Sequence, residues 1–175
     1  LLIALFALGR IPETFLLLRG HELGLSPVSL LLLWAGLHTL KSLVAEIAGR
    51  WATRARRRAL ILAGWALYAL ALAGLAGSGS IEELCYFALM MAGYYGLTET
   101  SERALIRDLA PVNQYGTAFG WYHLFSGVAA VLGGAGLGGL WSLYGSAAAF
   151  FLSAAVATLC SLLLWQFHPD KYSVK

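Results

Sequence analysis

Charge is what this 175-residue chain has least of: Asp, Glu, Lys and Arg together make up 12% of it. An ordinary soluble domain carries roughly 25%, and so few charges cannot clothe a water-facing surface. Instead, 59% of the residues are Ala, Val, Ile, Leu, Met, Phe, Trp, Tyr or Cys, and the mean hydropathy is +0.73. Cysteine is scarce too. Cys85 and Cys160 both sit in apolar runs and make neither a disulfide framework nor a metal site. A net charge of +3 is too weak a bias to point to nucleic acid. Enzyme signatures are also missing. There is no His/Cys metal spacing, no nucleophile elbow and no phosphate-cradling glycine loop, so neither catalysis nor a cofactor nor a metal is expected. What remains is an all-α, polytopic membrane protein whose first partner is the lipid bilayer. The chain opens on Leu1, inside an apolar run, and is expected to be a piece of a longer protein.

What is present is a series of apolar runs. A helix needs about 20 mostly apolar residues to cross the hydrocarbon core, and six such spans are predicted. The first covers residues 1–18 and ends at a polar break, Arg19, Gly20, His21 and Glu22. Ser26 then reads as an N-cap, with Pro27 at the first helical position. The second span covers 28–48 and is followed by the most basic stretch of the chain, with Arg50, Arg54, Arg56, Arg57 and Arg58. The third, 59–76, holds no charge and ends at Gly77, Ser78, Gly79 and Ser80, a turn signal. The fourth covers 81–104 and turns polar towards its end. From Leu109 to Pro169 there are 61 residues without Asp, Glu, Lys or Arg, too many for one helix. The best break is at Ser142 to Ser146, giving a fifth span at 116–141, a sixth at 147–167 and a polar tail at 168–175.

Lys and Arg collect on the cytoplasmic side of membrane proteins. Six spans put both ends on one side, together with the second–third and fourth–fifth loops. That side holds Arg50, Arg54, Arg56, Arg57, Arg58, Arg103, Arg107, Lys171 and Lys175, while the other holds only Arg19. Both ends are therefore expected in the cytoplasm.

Charges deep in a spanning helix are costly and mark function by default. Arg10 and Glu13, three apart in the first span with Pro12 between them, share a helical face on which the proline loosens the backbone. His38 and Lys41 have the same spacing in the second span. Together the four are candidates for a substrate or proton pathway, in which Glu13 or His38 exchanges protons and Arg10 and Lys41 attract an anionic or polar group. The plainer alternative is that Arg10 and Glu13 neutralise each other while Lys41 snorkels or pairs with a neighbour. Glu99, Glu102, Arg103, Arg107 and Asp108 lie at the end of the fourth span. They read either as a solvated helix end or, with Arg54, Arg57 and Arg58, as a cytoplasmic latch between carboxylates and arginines. Gly116 and Gly120, and Gly134 and Gly138, have the small-xxx-small spacing that lets helices approach closely. His123 shares their span. Trp121, Tyr122, Trp141, Tyr144 and Trp165 read as interfacial anchors.

The order of these features resembles the C-terminal six-helix half of a bacterial major facilitator superfamily transporter. Gly49, Arg54, Arg57 and Arg58 fit the basic loop motif of that family, although Thr53 stands in place of its Asp and Arg56 in place of its second Gly. The run from Glu102 to Pro111, followed by Tyr115, Gly116, Thr117, Ala118, Phe119 and Gly120, is similar to the fourth-to-fifth helix junction of bacterial members, with Tyr115 where Arg is usual. The segment from Gly139 to Gly145, with Ala149 and Phe150, is also like theirs.

The resemblance implies two inverted three-helix repeats, 1–77 and 78–167, in the inner membrane. It implies a substrate site shared with an N-terminal six-helix half, and secondary active transport of a small solute by alternating access, with proton coupling expected. The alternative is a six-span membrane scaffold or assembly subunit without transport activity.

Overall fold

The computed structural model describes residues 2–53 and 56–166, and the described chain is helical throughout with no strand. The elements are α1 (Leu2–Gly9), α2 (Thr14–Glu22), α3 (Pro27–Trp51), α4 (Arg57–Gly77), α5 (Ile81–Leu109), a single 3-10 turn (Val112–Gln114), α6 (Tyr115–Tyr144) and α7 (Ser146–Gln166). By length and composition, α3, α4, the stretch Val112–Tyr144 and α7 can each cross a membrane. Helix α5 is long enough but carries seven Asp, Glu or Arg residues. Helices α1 and α2 are individually too short.

The first predicted span is where structure and expectation part. A single helix over 1–18 ending at Arg19 to Glu22 is not what forms. The helix is interrupted at Arg10 to Glu13 and then continues through Arg19 and Glu22. Proline explains the position, because Pro12 has no N–H for the Leu8 carbonyl and its ring crowds that carbonyl. Arg19 and Glu22 stay helical as an i,i+3 ion pair at 3.0 Å. Elsewhere the local signals act as expected. The Ser26 hydroxyl accepts from the Ser29 N–H ahead of Pro27, and Ser80 caps α5 through the Glu83 N–H. The break between the last two helices shrinks to Gly145, whose φ of +85° is a region that favours glycine.

Helix α4 is the centre of the packing. Ile61, Trp65, Tyr68, Leu72 and Leu75 are almost wholly buried along it, with α5 against one side and α7 against another. Helix α3 leans on α5, whereas α6 leans on α1 and α7. A cavity lies between α3 and α6, with α5 and the interruption of the first helix as its remaining walls. The outer faces of α3 and α6 are apolar and open. Leu31, Leu32, Leu43 and Ile47 on the former, and Trp121, Phe125, Val128 and Val131 on the latter, are all more than half exposed.

Small residues allow this arrangement, though only some of those singled out by spacing. A Cβ on Gly133 would meet the Leu8 carbonyl oxygen, one on Gly134 would lie 3.3 Å from Pro12, and one on Gly138 3.6 Å from Phe15. Helix α6 therefore rests on the interrupted helix. Gly116 and Gly120, with the same spacing, face open space and bring no helices together.

Candidate functional site

An interrupted helix in an apolar setting must satisfy the backbone groups it frees, since water is not at hand to do so. Two neighbouring helices supply the partners. The Ile11 N–H donates to the Tyr68 hydroxyl of α4 at 2.8 Å, and the Ser153 hydroxyl of α7 donates to the Gly9 carbonyl at 2.5 Å. Tyr68 and Ser153 are themselves 3.2 Å apart. Both are fully buried.

The interruption turns Arg10 and Glu13 in different directions. Arg10 enters an aromatic nest beside Tyr94 and Tyr95 and faces Glu102. Beside it Phe6 stacks on Trp65 at 4.4 Å, and Tyr68 lies 4.4 Å from Tyr94. Glu13 turns towards α3. Its carboxylate accepts from Lys41 Nζ at 3.3 Å and lies 3.4 Å from His38 Nε2, an ion-pair distance without hydrogen-bond geometry. Among the described residues no ion pair joins Arg10 to Glu13, so the mutual neutralisation of the plainer alternative is not seen; the interruption removes the helical face they were to share.

Lys41 is the hub. It lies 3.3 Å from Glu13, 3.4 Å from Glu99 on α5, and 4.6 Å from the centre of the Tyr95 ring. Glu99 in turn accepts from Arg103 at 2.7 Å. Glu102, one turn on, is buried; it accepts from the Trp65 indole at 3.1 Å and from the Tyr122 hydroxyl at 3.4 Å. All of these groups except Trp65 line a cavity of about 470 Å³ together with Trp34, Thr98, His123 and Ser126. Its walls carry three basic side chains, Arg10, Lys41 and Arg103, and three acidic ones, Glu13, Glu99 and Glu102. A volume of this size suits a small molecule. Among the described residues no three His, Cys, Asp or Glu side chains converge as a metal site.

The described residues expected in a latch fall in three places. Glu99, Glu102 and Arg103 belong to the cavity, because one face of α5 turns Glu102 inwards with Tyr94 and Thr98. Arg57 pairs with Asp108 and also donates to the Ala52 carbonyl at 3.1 Å, tying α4 to the end of α5. Among the described residues Arg58 meets no carboxylate; it donates to the Leu164 and Trp165 carbonyls at the end of α7, at 2.9 and 2.7 Å. Arg54 lies outside the described residues, as does the 168–175 tail.

At the other end of the molecule, Arg19 donates to Glu22 and to the Ser78 carbonyl, and Glu22 accepts from the Trp141 indole at 2.9 Å. Trp141 and Tyr122 are therefore partners in polar networks, whereas Trp121, Tyr144 and Trp165 are exposed. The sequence reading missed Tyr68, Trp65, Tyr94, Tyr95 and Ser153. Their one signal is a polar atom placed in an otherwise apolar run, where it must find a partner.

In comparison with known proteins, the family model of the Major Facilitator Superfamily matches residues 2–175. No curated protein and no solved structure matches the chain. With its apolar membrane-crossing helices around a charged cavity, and with a match along nearly its whole length, the chain belongs to the Major Facilitator Superfamily of membrane transporters.

Proposed function

We propose that the chain is the C-terminal six-span half of a secondary active transporter that moves a small solute, coupled to protons, by alternating access. Two inverted repeats, 1–77 and 78–167, would then present the cavity to an N-terminal half of the same protein. The open apolar faces of α3 and α6 suit contact with that half and with lipid. The observation that carries this reading is the network His38–Glu13–Lys41–Glu99 beside the helix interruption. Helix interruptions near the midplane are where transporters of several folds bind substrate and coupling ions. A proton on Glu13 would remove the negative charge that draws Lys41 to it at 3.3 Å, and so would weaken the contact between the first helix and α3.

The natural host is a bacterial inner membrane, with both chain ends in the cytoplasm. On that topology Arg57 and Asp108 tie the cytoplasmic ends of α4 and α5. Arg58, Arg54 and the carboxylates of α5 are then the candidates for rearrangement between inward and outward states.

The test is a proton-flux screen of sugars, amino acids, organic cations and drugs in vesicles holding the full-length protein. For the solute that responds, Glu13→Gln is expected to reduce proton-coupled transport to background. Unchanged transport removes Glu13 from the mechanism, and no responding solute favours the scaffold alternative. Topology has its own check. Ser78 is buried, so the label belongs at its exposed neighbour Gly79. With Cys85 and Cys160 replaced, a cysteine at Gly79 is expected to react with an impermeant thiol reagent from outside the cell. Labelling only from the cytoplasmic face would overturn the orientation.

A further inference from the structure

The interruption that carries Arg10 and Glu13 is held by atoms outside the cavity. Every hydrogen in that arrangement has one assignment. The Ile11 N–H can only donate, so the Tyr68 oxygen accepts it at 2.8 Å. The Gly9 carbonyl can only accept, so Ser153 spends its single hydrogen there at 2.5 Å. The remaining contact, 3.2 Å between the two hydroxyls, must then run from Tyr68 to Ser153. The result is a closed relay from the Ile11 N–H through Tyr68 and Ser153 to the Gly9 carbonyl. It replaces two backbone bonds that a continuous helix would have made to Ala7 and from Glu13.

We propose that Tyr68 and Ser153 are positioning residues: they fix the first helix in its interrupted form and thereby set the separate directions of Arg10 and Glu13 in the cavity. This rests on the reading of Arg10 and Glu13 as the working groups of the site. Neither Tyr68 nor Ser153 lines the cavity. Their helices, α4 and α7, pack against each other, so the brace sits on the least exposed part of the molecule. The aromatic faces of Tyr68 against Phe6 and Tyr94 survive its replacement by phenylalanine. Tyr68→Phe therefore removes the relay and little else.

The experiment uses the full-length protein in detergent or vesicles and two measurements, neither of which needs a substrate. In hydrogen–deuterium exchange, Tyr68→Phe is expected to speed the amides of residues 8–15 by about tenfold or more, since it removes the bonds of Tyr68 to both Ile11 and Ser153 and one lost buried hydrogen bond is worth about tenfold. Peptides of α4 and α7 should not change. Ser153→Ala is expected to act likewise, and Ser153→Thr, which keeps the hydroxyl, to restore slow exchange. In the second measurement Cys85 and Cys160 are replaced and a cysteine stands at the cavity residue Thr14 or, in a parallel protein, at Ser126 of α6. Tyr68→Phe should raise the thiol-labelling rate at Thr14 by about threefold or more while Ser126 keeps its rate, since local opening is confined to one unit. Unchanged exchange at 8–15, acceleration spread equally over all helices, or an unaltered Thr14 rate each overturns the proposal. A Glu13→Gln protein that still couples protons would remove Glu13 from the mechanism, and the absence of any responding solute would sink the transport reading above; both leave these two results where they stand.

Discussion

Replacing Gly133 with alanine is expected to dislodge α6 from the first helix, whereas the same change at Gly120 should do nothing harmful. The difference lies in what each new methyl would meet. At Gly133 it meets the backbone carbonyl of Leu8, the oxygen that Pro12 leaves without its usual helical donor. A backbone atom cannot turn aside as a side chain can, so one of the two helices must shift. Forcing volume into a packed site costs about 1–3 kcal/mol. Here the upper end applies, because Pro12 beside Gly134 and Phe15 beside Gly138 extend the same contact. Gly120 has nothing within reach of a Cβ, and alanine there gains up to about 1 kcal/mol of helix propensity. Thermal unfolding of the two variants of the full-length protein measures the contrast. Equal melting temperatures would mean that α6 does not rest on the Leu8 carbonyl. A further expected effect is loss of transport in Gly133→Ala, because the surface that α6 presses on is the one that carries Arg10 and Glu13.

The same glycines show how far the sequence can be read. Small-xxx-small spacing marks a helix able to approach another, but it does not say which face does so. The missing information is which residues share the buried stripe. Ala129, Gly133, Leu137 and Trp141 are the buried residues of α6 and recur every fourth position, and what selects that stripe over its neighbours is contact with distant parts of the chain, Leu8 at Gly133 and Glu22 at Trp141. Gly116 and Gly120 lie outside it. The carboxylates of α5 were grouped by nearness along the chain and separated by helical rotation. Tyr94, Thr98 and Glu102 fall on one face, four apart, and are buried together. Glu99 faces Lys41 from the neighbouring face. Pro12 was legible as a weak point, yet the identity of the groups that brace it was not. Tyr68 and Ser153 lie 57 and 144 positions from the backbone atoms they satisfy, and no local pattern links such distant residues.

Lys41→Met is expected to abolish coupled transport and to destabilise the cavity, and the pattern of rescue should show why. Lys41 stands between two carboxylates, Glu13 at 3.3 Å and Glu99 at 3.4 Å. Glu99 keeps Arg103 when the lysine is lost. Among the described residues Glu13 then keeps only His38, at a distance without hydrogen-bond geometry. Removing one partner of an ion pair hurts mostly through the charge left behind, so the damage should fall on Glu13. The side chains of Lys41 and Glu13 remain 23% and 22% exposed, which lowers the cost from that of a fully buried pair to about 1–2 kcal/mol. A double-mutant cycle isolates it. Glu13→Gln in the Lys41→Met protein should restore most of the lost melting temperature, because no unpaired carboxylate then remains on the first helix. Glu99→Gln in the same protein should restore little, because Arg103 already answers that charge. Transport should return in neither double variant, since both lack the lysine whose contact with Glu13 changes on protonation. Strictly additive effects of Lys41→Met and Glu13→Gln on stability would show that the two groups do not interact, and the link between protonation and helix contact would fall with them.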